Sequence, residues 1–224
     1  MRKHDQARAV GIVLAGGGST RLGHAARATG GGKALLMFRG HTFLEHVLLA
    51  LVTEVHKLIV VAAPGQSLPP LGAAELVCDA TPGDGPLAGL RDGLLAASAA
   101  ADNHGLPAPA FAVVASCDLP LLRREVVGYL LDCARESGAV WTVPLVRGHR
   151  QVLVSVLRFD MLPRIETWLA TGRRDLRGLL GHVAEKTPLA VRIVSESELT
   201  AIDPRLVSFE DIDTPAELER LQSE

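Results

Sequence analysis

The stretch Val10-Gly11-Ile12-Val13-Leu14-Ala15-Gly16-Gly17-Gly18-Ser19-Thr20-Arg21-Leu22-Gly23 decides the fold. Its first six residues are a short apolar run closed by glycine, the pattern of a strand buried on both faces. The glycines that follow free backbone N–H groups to point at an oxyanion, with no Cβ to block a phosphate. No familiar phosphate or nucleophile motif fits the loop. A dinucleotide G-x-G-x-x-G starting at Gly16 needs glycine where Arg21 stands. A Walker A ending on Gly32-Lys33 needs glycine at Arg27 and a hydroxyl at Ala34. A nucleophile elbow on Gly17 and Ser19 again fails at Arg21. The loop continues glycine-rich as far as Lys33, with seven glycines between positions 16 and 33.

Working outward, strand and helix patterns alternate. Leu44, Val47, Leu48, Leu51, Val52 and Val55 recur at helical spacing behind Thr42, which predicts an amphipathic helix from Thr42 to Val55 with Thr42 as its cap. Leu58 to Ala62 and Leu76 to Cys78 read as strands, and Pro86 to Ala99 as a helix with proline in its first turn. Phe111 to Ala115 is a strand, Arg124 to Arg135 a helix, and Val140 to Val143 and Val152 to Val156 two more strands. Helices are expected over Met161 to Ala170 and Leu176 to His182, with a late strand at Val191 to Val194. Thr214-Pro215-Ala216-Glu217 is a capping box that starts a last helix, and Ala101 to Ala110 reads as a surface loop. The expected architecture is α/β: a three-layer, mostly parallel, doubly wound sheet with a Rossmann-like nucleotide-binding half. No linker separates domains, so one domain is expected over 1–224. In such sheets ligands bind beyond the carboxyl ends of the strands, here after Ala15, Ala62, Cys78 and Ser116.

Composition narrows the partners. The formal net charge of −2 lacks the excess of Lys and Arg that binding a nucleic-acid polyanion demands. No apolar run approaches the ~18 residues of a membrane span, and the short run at Val10 to Ala15 is no signal-peptide core. The three cysteines, Cys78, Cys117 and Cys133, form no C-x-x-C and are expected to be reduced cytosolic thiols.

Five positions stand out at the strand ends. Lys33 beside the glycine loop suits triphosphate oxygens, or is an ordinary solvated lysine. Asp118, in Ser116-Cys117-Asp118-Leu119-Pro120, could hold Mg²⁺ against substrate phosphates, or cap a turn ahead of Pro120. Asp211 and Asp213 are two apart and share a face if extended; a solvated acidic edge reads the same pair otherwise. Asp79 precedes Gly83-Asp84-Gly85-Pro86, where a helix N-terminus could meet an anion, and could equally be a turn residue. The eight histidines form no metal pattern, and His41 and His46 read as surface residues.

Together these segments resemble the molybdenum cofactor guanylyltransferase family, the MobA-like nucleotidyltransferases. The resemblance rests on Leu14-Ala15-Gly16-Gly17 through Arg21-Leu22-Gly23, Lys33-Ala34-Leu35-Leu36, Gly85-Pro86-Leu87-Ala88-Gly89, Cys117-Asp118-Leu119-Pro120 and Asp211-Ile212-Asp213-Thr214-Pro215, with Gln151-Val152-Leu153 as a degraded acceptor-side segment. It implies the nucleotide-diphospho-sugar transferase type of fold, with a nucleotide-binding half at about 9–120 and an acceptor-binding half at about 121–224. It implies transfer of GMP from GTP to the terminal phosphate of molybdenum-molybdopterin, in the cytoplasm, by a monomer or weak homo-oligomer, with Mg²⁺ as cofactor. By the same resemblance Leu14, Ala15, Gly16, Gly17, Lys33, Asp79 and Asp118 bind the nucleotide, Arg21, Lys33 and Asp118 are catalytic, and Asp118 and Asp211 hold the metal. Two features depart from the family pattern: Lys33 stands twelve positions after Arg21, behind the glycine-rich loop His24 to Gly32, and Ala62-Ala63-Pro64 replaces a familiar asparagine. A cytidylyltransferase of the same cofactor, another small-molecule phosphate nucleotidyltransferase, and a non-catalytic nucleotide-binding module remain alternatives.

Overall fold

A computed structural model describes residues 8–16, 32–103, 105, 107–212, 214, 216–217 and 219–220. Its strands are β1 (Ala9–Leu14), β2 (Met37–Phe38), β3 (His41–Thr42), β4 (Lys57–Ala62), β5 (Glu75–Cys78), β6 (Phe111–Ser116), β7 (Trp141–Val146), β8 (His149–Arg150), β9 (Val154–Arg158) and β10 (Val191–Val194). Its α-helices are α1 (Phe43–Leu51), α2 (Pro86–Asn103), α3 (Arg124–Ser137), α4 (Leu162–Ala170), α5 (Leu176–Lys186) and α6 (Glu196–Thr200). Among these helices none is long and apolar enough to cross a membrane.

The main sheet runs β10-β7-β9-β6-β1-β4-β5, with β8 a hairpin partner of β7. β9 lies antiparallel between β6 and β7, and the other neighbours on that path pair in parallel. β1 is an interior strand between β6 and β4, and every residue from Ala9 to Leu14 is buried, which explains its unbroken apolar run. Alternation of side chains then sorts each strand between two cores. Ala9, Val13, Val60, Val113 and Val156 join α1 and α3 on one side. Val10, Ile12, Val61, Val114 and Leu157 join α2, α4 and α5 on the other. The expected three-layer, mostly parallel architecture is what the chain adopts.

Local expectations shift where tertiary contacts decide. Thr42 caps α1 in a full capping box with Glu45, but the helix stops at Leu51, short of Val55. Past that point the chain must turn to bring Lys57 into register beside Val10. α2 runs on to Asn103, into the stretch expected to be loop. The strand expected at Val152 to Val156 starts at Val154, since Val152 and Leu153 form the turn out of β8. The short hairpins β2–β3 and β7–β8 and the helix α6 carried too few residues to show a period. His46 is half-buried rather than on the surface, its Nε2 2.8 Å from the Phe38 carbonyl. Trp141 and Trp168 are both buried.

All three cysteines are free thiols, with Cys78 exposed and Cys117 and Cys133 buried. Burial pushes the Cys117 thiol up to about 12, helped by the neighbouring Asp118 charge. Burial raises Cys133 as well. Reactivity follows thiolate and access. A disulfide-exchange reagent at pH 8 is therefore expected to label one thiol per native chain, Cys78, and three in denaturant.

α2 lies very close to the sheet at Gly93, where a Cβ would stand 2.7 Å from Ile12 Cγ2 and 3.2 Å from Val61 Cγ2. Both neighbours are branched and buried, so neither can yield cheaply. Gly93→Ala is expected to destabilise the chain by about 1–3 kcal/mol in urea unfolding, despite the roughly 1 kcal/mol that alanine gains over glycine in a helix.

Candidate active site

The strand ends at the carboxyl edge of the sheet meet in a small set of hydrogen bonds. The Ala15 and Gly16 N–H groups both donate to the Val61 carbonyl, at 2.8 and 3.3 Å. The Ala15 carbonyl accepts the Gln66 amide at 2.9 Å, while Gln66 Oε1 accepts the Ala63 N–H at 3.1 Å. One side chain after the second strand thus ties the start of the glycine loop to the end of β4. Leu14 and Ala15 are buried and Gly16 is exposed, which leaves Gly16 the first residue of the loop open to a ligand. Gly17, Arg21 and Asp213 lie outside the described residues.

Asp79 leaves β5 with its N–H on the Ala62 carbonyl at 2.8 Å. Its Oδ1 accepts the Thr81 N–H at 2.9 Å, an Asx turn, so the turn reading of this residue holds locally. No local sequence signal marks the residue that supports this turn. Asp92, buried in α2, accepts the Ala80 N–H at 2.8 Å and is itself paired with Arg91 at 2.7 Å. Its only sequence trace is a carboxylate inside the apolar pattern of a helix. Beyond the turn, Gly85 adopts φ +82° to open α2, a conformation glycine takes without strain.

Lys33 sits in a single 3₁₀ turn, Gly32–Leu35, packed through the buried Ala34. Its Nζ lies 2.9 Å from Asp118 Oδ2, with side chains 15% and 23% exposed. The twelve-residue spacing from Arg21 therefore does not keep this lysine from the strand ends. Asp118 follows β6, where the Cys117 N–H donates to the Leu14 carbonyl at 3.1 Å. Its own carbonyl accepts the Ile212 N–H at 3.1 Å, which brings Asp211 alongside. Lys33, Asp118 and Asp211 are thus gathered from positions up to 178 residues apart in the chain. Asp79 stands at the end of β5, separated from Asp118 by β4 and β1 in the sheet.

Asp118 and Asp211 form one wall of an open cleft of about 1080 Å³, running over the carboxyl ends of β6 and β7. Arg147, His149, Arg173, Arg174 and Arg177 line the same cleft, and the Arg147 guanidinium pairs at 3.5 Å with Glu210, next to Asp211. Three of the arginines are held by neighbouring groups. Arg173 stacks on Trp168 at 4.4 Å, and Arg174 pairs with Asp84 at 3.0 Å and donates to the Leu169 carbonyl at 2.8 Å. Arg147, in a left-handed turn at φ +51°, donates its N–H to Glu196 at 2.6 Å. Gln151, Val152 and Leu153, the degraded acceptor-side segment, line the same cleft. The arginines themselves carried no sequence signal, because Arg147 and the 173–177 run converge only in the fold.

The donor set suits a hard cation. Among the described residues no three His, Cys, Asp or Glu side chains gather as a metal site. Two carboxylates facing one cleft are what Mg²⁺ uses when phosphates and water complete its octahedron.

Residues 11–187 match the MobA-like NTP transferase domain family. The chain is 31% identical over 214 residues to the molybdenum cofactor guanylyltransferase of Desulfosudis oleivorans, covering 95% of this chain and 94% of that one. It is 34% identical over 176 residues to a probable molybdenum cofactor guanylyltransferase of Mycolicibacterium paratuberculosis, covering 79% of this chain and 82% of that one. Among solved structures, molybdopterin-guanine dinucleotide biosynthesis protein A of Archaeoglobus fulgidus superposes with a TM-score of 0.70 at 22% identity, over 96% of this chain and 97% of that one. A carboxylate pair and a lysine at the strand ends, the glycine loop after β1 and these likenesses along the chain agree: it belongs to the MobA-like NTP transferase family.

Proposed function

We propose that the chain transfers GMP from GTP to the terminal phosphate of molybdenum-molybdopterin and releases pyrophosphate. The observation that carries this reading is a cleft at the strand ends that gathers Asp118, paired with Lys33, and Asp211 together with four arginines. The carboxylates suit a metal on a triphosphate, and the arginines suit an acceptor that ends in a phosphate. Family membership supports the choice of GTP and molybdopterin.

In this reaction an oxygen of the acceptor phosphate attacks the α-phosphorus of GTP, the new P–O bond forms, and the bond to the β-phosphate oxygen breaks with its electrons leaving on pyrophosphate. The nucleophile is already anionic, so no side chain needs to take a proton. The barrier is repulsion between anions, and lowering it is a matter of positioning and charge neutralisation. Asp118 and Asp211 would hold Mg²⁺, which supplies positive charge to the reacting phosphates. By the family resemblance, the glycine loop that opens at Gly16 would hold the triphosphate through its backbone, with the Gly16 N–H itself on the Val61 carbonyl, and Asp79 would lie near the nucleoside. Lys33, paired with Asp118 at 2.9 Å, would place its ammonium on a phosphate oxygen of the bound nucleotide. Arg21 joins it on the departing pyrophosphate, as the family resemblance implies. The cleft arginines, with Arg173 held by Trp168, orient the acceptor.

The test is pyrophosphate release from GTP, CTP, ATP and UTP with Mg²⁺ and molybdenum-molybdopterin. Release confined to GTP is expected. A preference for CTP moves the chain to the cytidylyltransferase reading, and binding without release makes it a silent module. Asp118→Ala is expected to lower turnover by at least about 10²-fold, as loss of a principal electrostatic group does. Turnover near wild type in the folded variant removes Asp118 from the mechanism.

A further inference from the structure

The segment that carries Asp211 is held by a buried carboxylate eight residues before it, at Asp203. Asp203 is 1% exposed, and a buried charge persists only where partners compensate it. Its Oδ2 accepts the Ser208 N–H at 2.9 Å, and its Oδ1 faces the Arg123 guanidinium at 3.6 Å. Ser208 is fully buried, and its hydroxyl in turn accepts the Arg123 N–H at 3.1 Å. Residue 208 is therefore pinned to residue 123, while the Ile212 N–H is pinned to the Asp118 carbonyl. The two stretches 118–123 and 208–212 run antiparallel between these bonds. Phe209 and Ile212 are buried and the intervening Asp211 is exposed.

The turn that delivers this segment is constrained. Leu206 adopts φ +54°, a left-handed conformation that leucine takes only where its surroundings impose it. Its N–H donates to the Asp203 carbonyl at 2.9 Å, and the Phe209 N–H returns to the Leu206 carbonyl at 3.2 Å. Such over-determination is more than a surface connection needs.

We infer that Asp203, Ser208 and Arg123 form a clamp that positions Asp211 beside Asp118 and so sets the metal affinity of the cleft. They are positioning residues, acting through Asp211 and touching neither substrate nor metal. The inference rests on the reading of Asp118 and Asp211 as metal ligands.

The test compares the Kd of the full chain for GTP in EDTA with its Kd for GTP in saturating Mn²⁺; the ratio reads metal coupling without turnover. In the wild type the ratio is expected well above one, and in Asp118→Ala and Asp211→Ala close to one. Ser208→Ala is expected to lower the ratio about 10-fold, or to one if the wild-type ratio is smaller, the effect of losing an outer-shell partner. Its Kd in EDTA should stay unchanged. Asp203→Asn keeps an acceptor for the Ser208 N–H, removes the charge facing Arg123, and should act in the same direction. A merely structural role lowers the melting temperature and leaves the ratio of the folded protein untouched. If Ser208→Ala keeps the wild-type ratio while Asp211→Ala loses it, the clamp is overturned and the metal reading stands. A wild-type ratio of one, or no binding of GTP, removes the metal reading and the clamp with it. Should Asp203→Asn fail to fold, Ser208→Ala decides alone.

Discussion

The Ile212 N–H on the Asp118 carbonyl, at 3.1 Å, is the contact on which the candidate site depends. It joins the loop after β6 to a segment near the end of the chain, across the whole second half of the fold. With it, the cleft has two carboxylates on one wall; without it, Asp118 faces Lys33 alone. The bond is one of ordinary strength, worth about 1 kcal/mol net. Its geometry is held by the burial of Phe209 and Ile212 on either side of Asp211.

The strand ends and turns around the candidate site are set by polar side chains packed behind them. Asp92 holds the turn of Asp79, Gln66 holds the exit of β1, and Asp203 holds the approach to Asp211. Each satisfies a backbone N–H or carbonyl that would otherwise stand unpaired at the end of a strand or turn. The cleft arginines Arg147, Arg173 and Arg174 are likewise held by neighbours, among them Trp168, Asp84, Glu196 and Glu210.

The central strands were legible because burial on both faces leaves a continuous apolar run, as in Val10 to Leu14 and Leu58 to Ala62. The start of α1 was legible because Thr42 and Glu45 form a local box. Lys33, Asp79, Asp118 and Asp211 could be singled out since each follows a strand or loop whose end must face the ligand edge. Their grouping could not be read, because nothing local distinguishes a capping aspartate from a metal ligand. Asp92, Asp203 and Gln66 carry no local signal, because they act on backbone groups brought near only by packing.

The sequence by itself determined the alternation of elements, the burial of β1 on both faces and the glycine loop behind it, since these follow from local conformational preference and from period. The tertiary structure decided which charges meet. Lys33 reaches Asp118 across 85 positions, and Asp211 reaches it across 93. Strand order and the path of the chain after α6 set those meetings. Electrostatics acts through distance in space, which one-dimensional spacing does not contain.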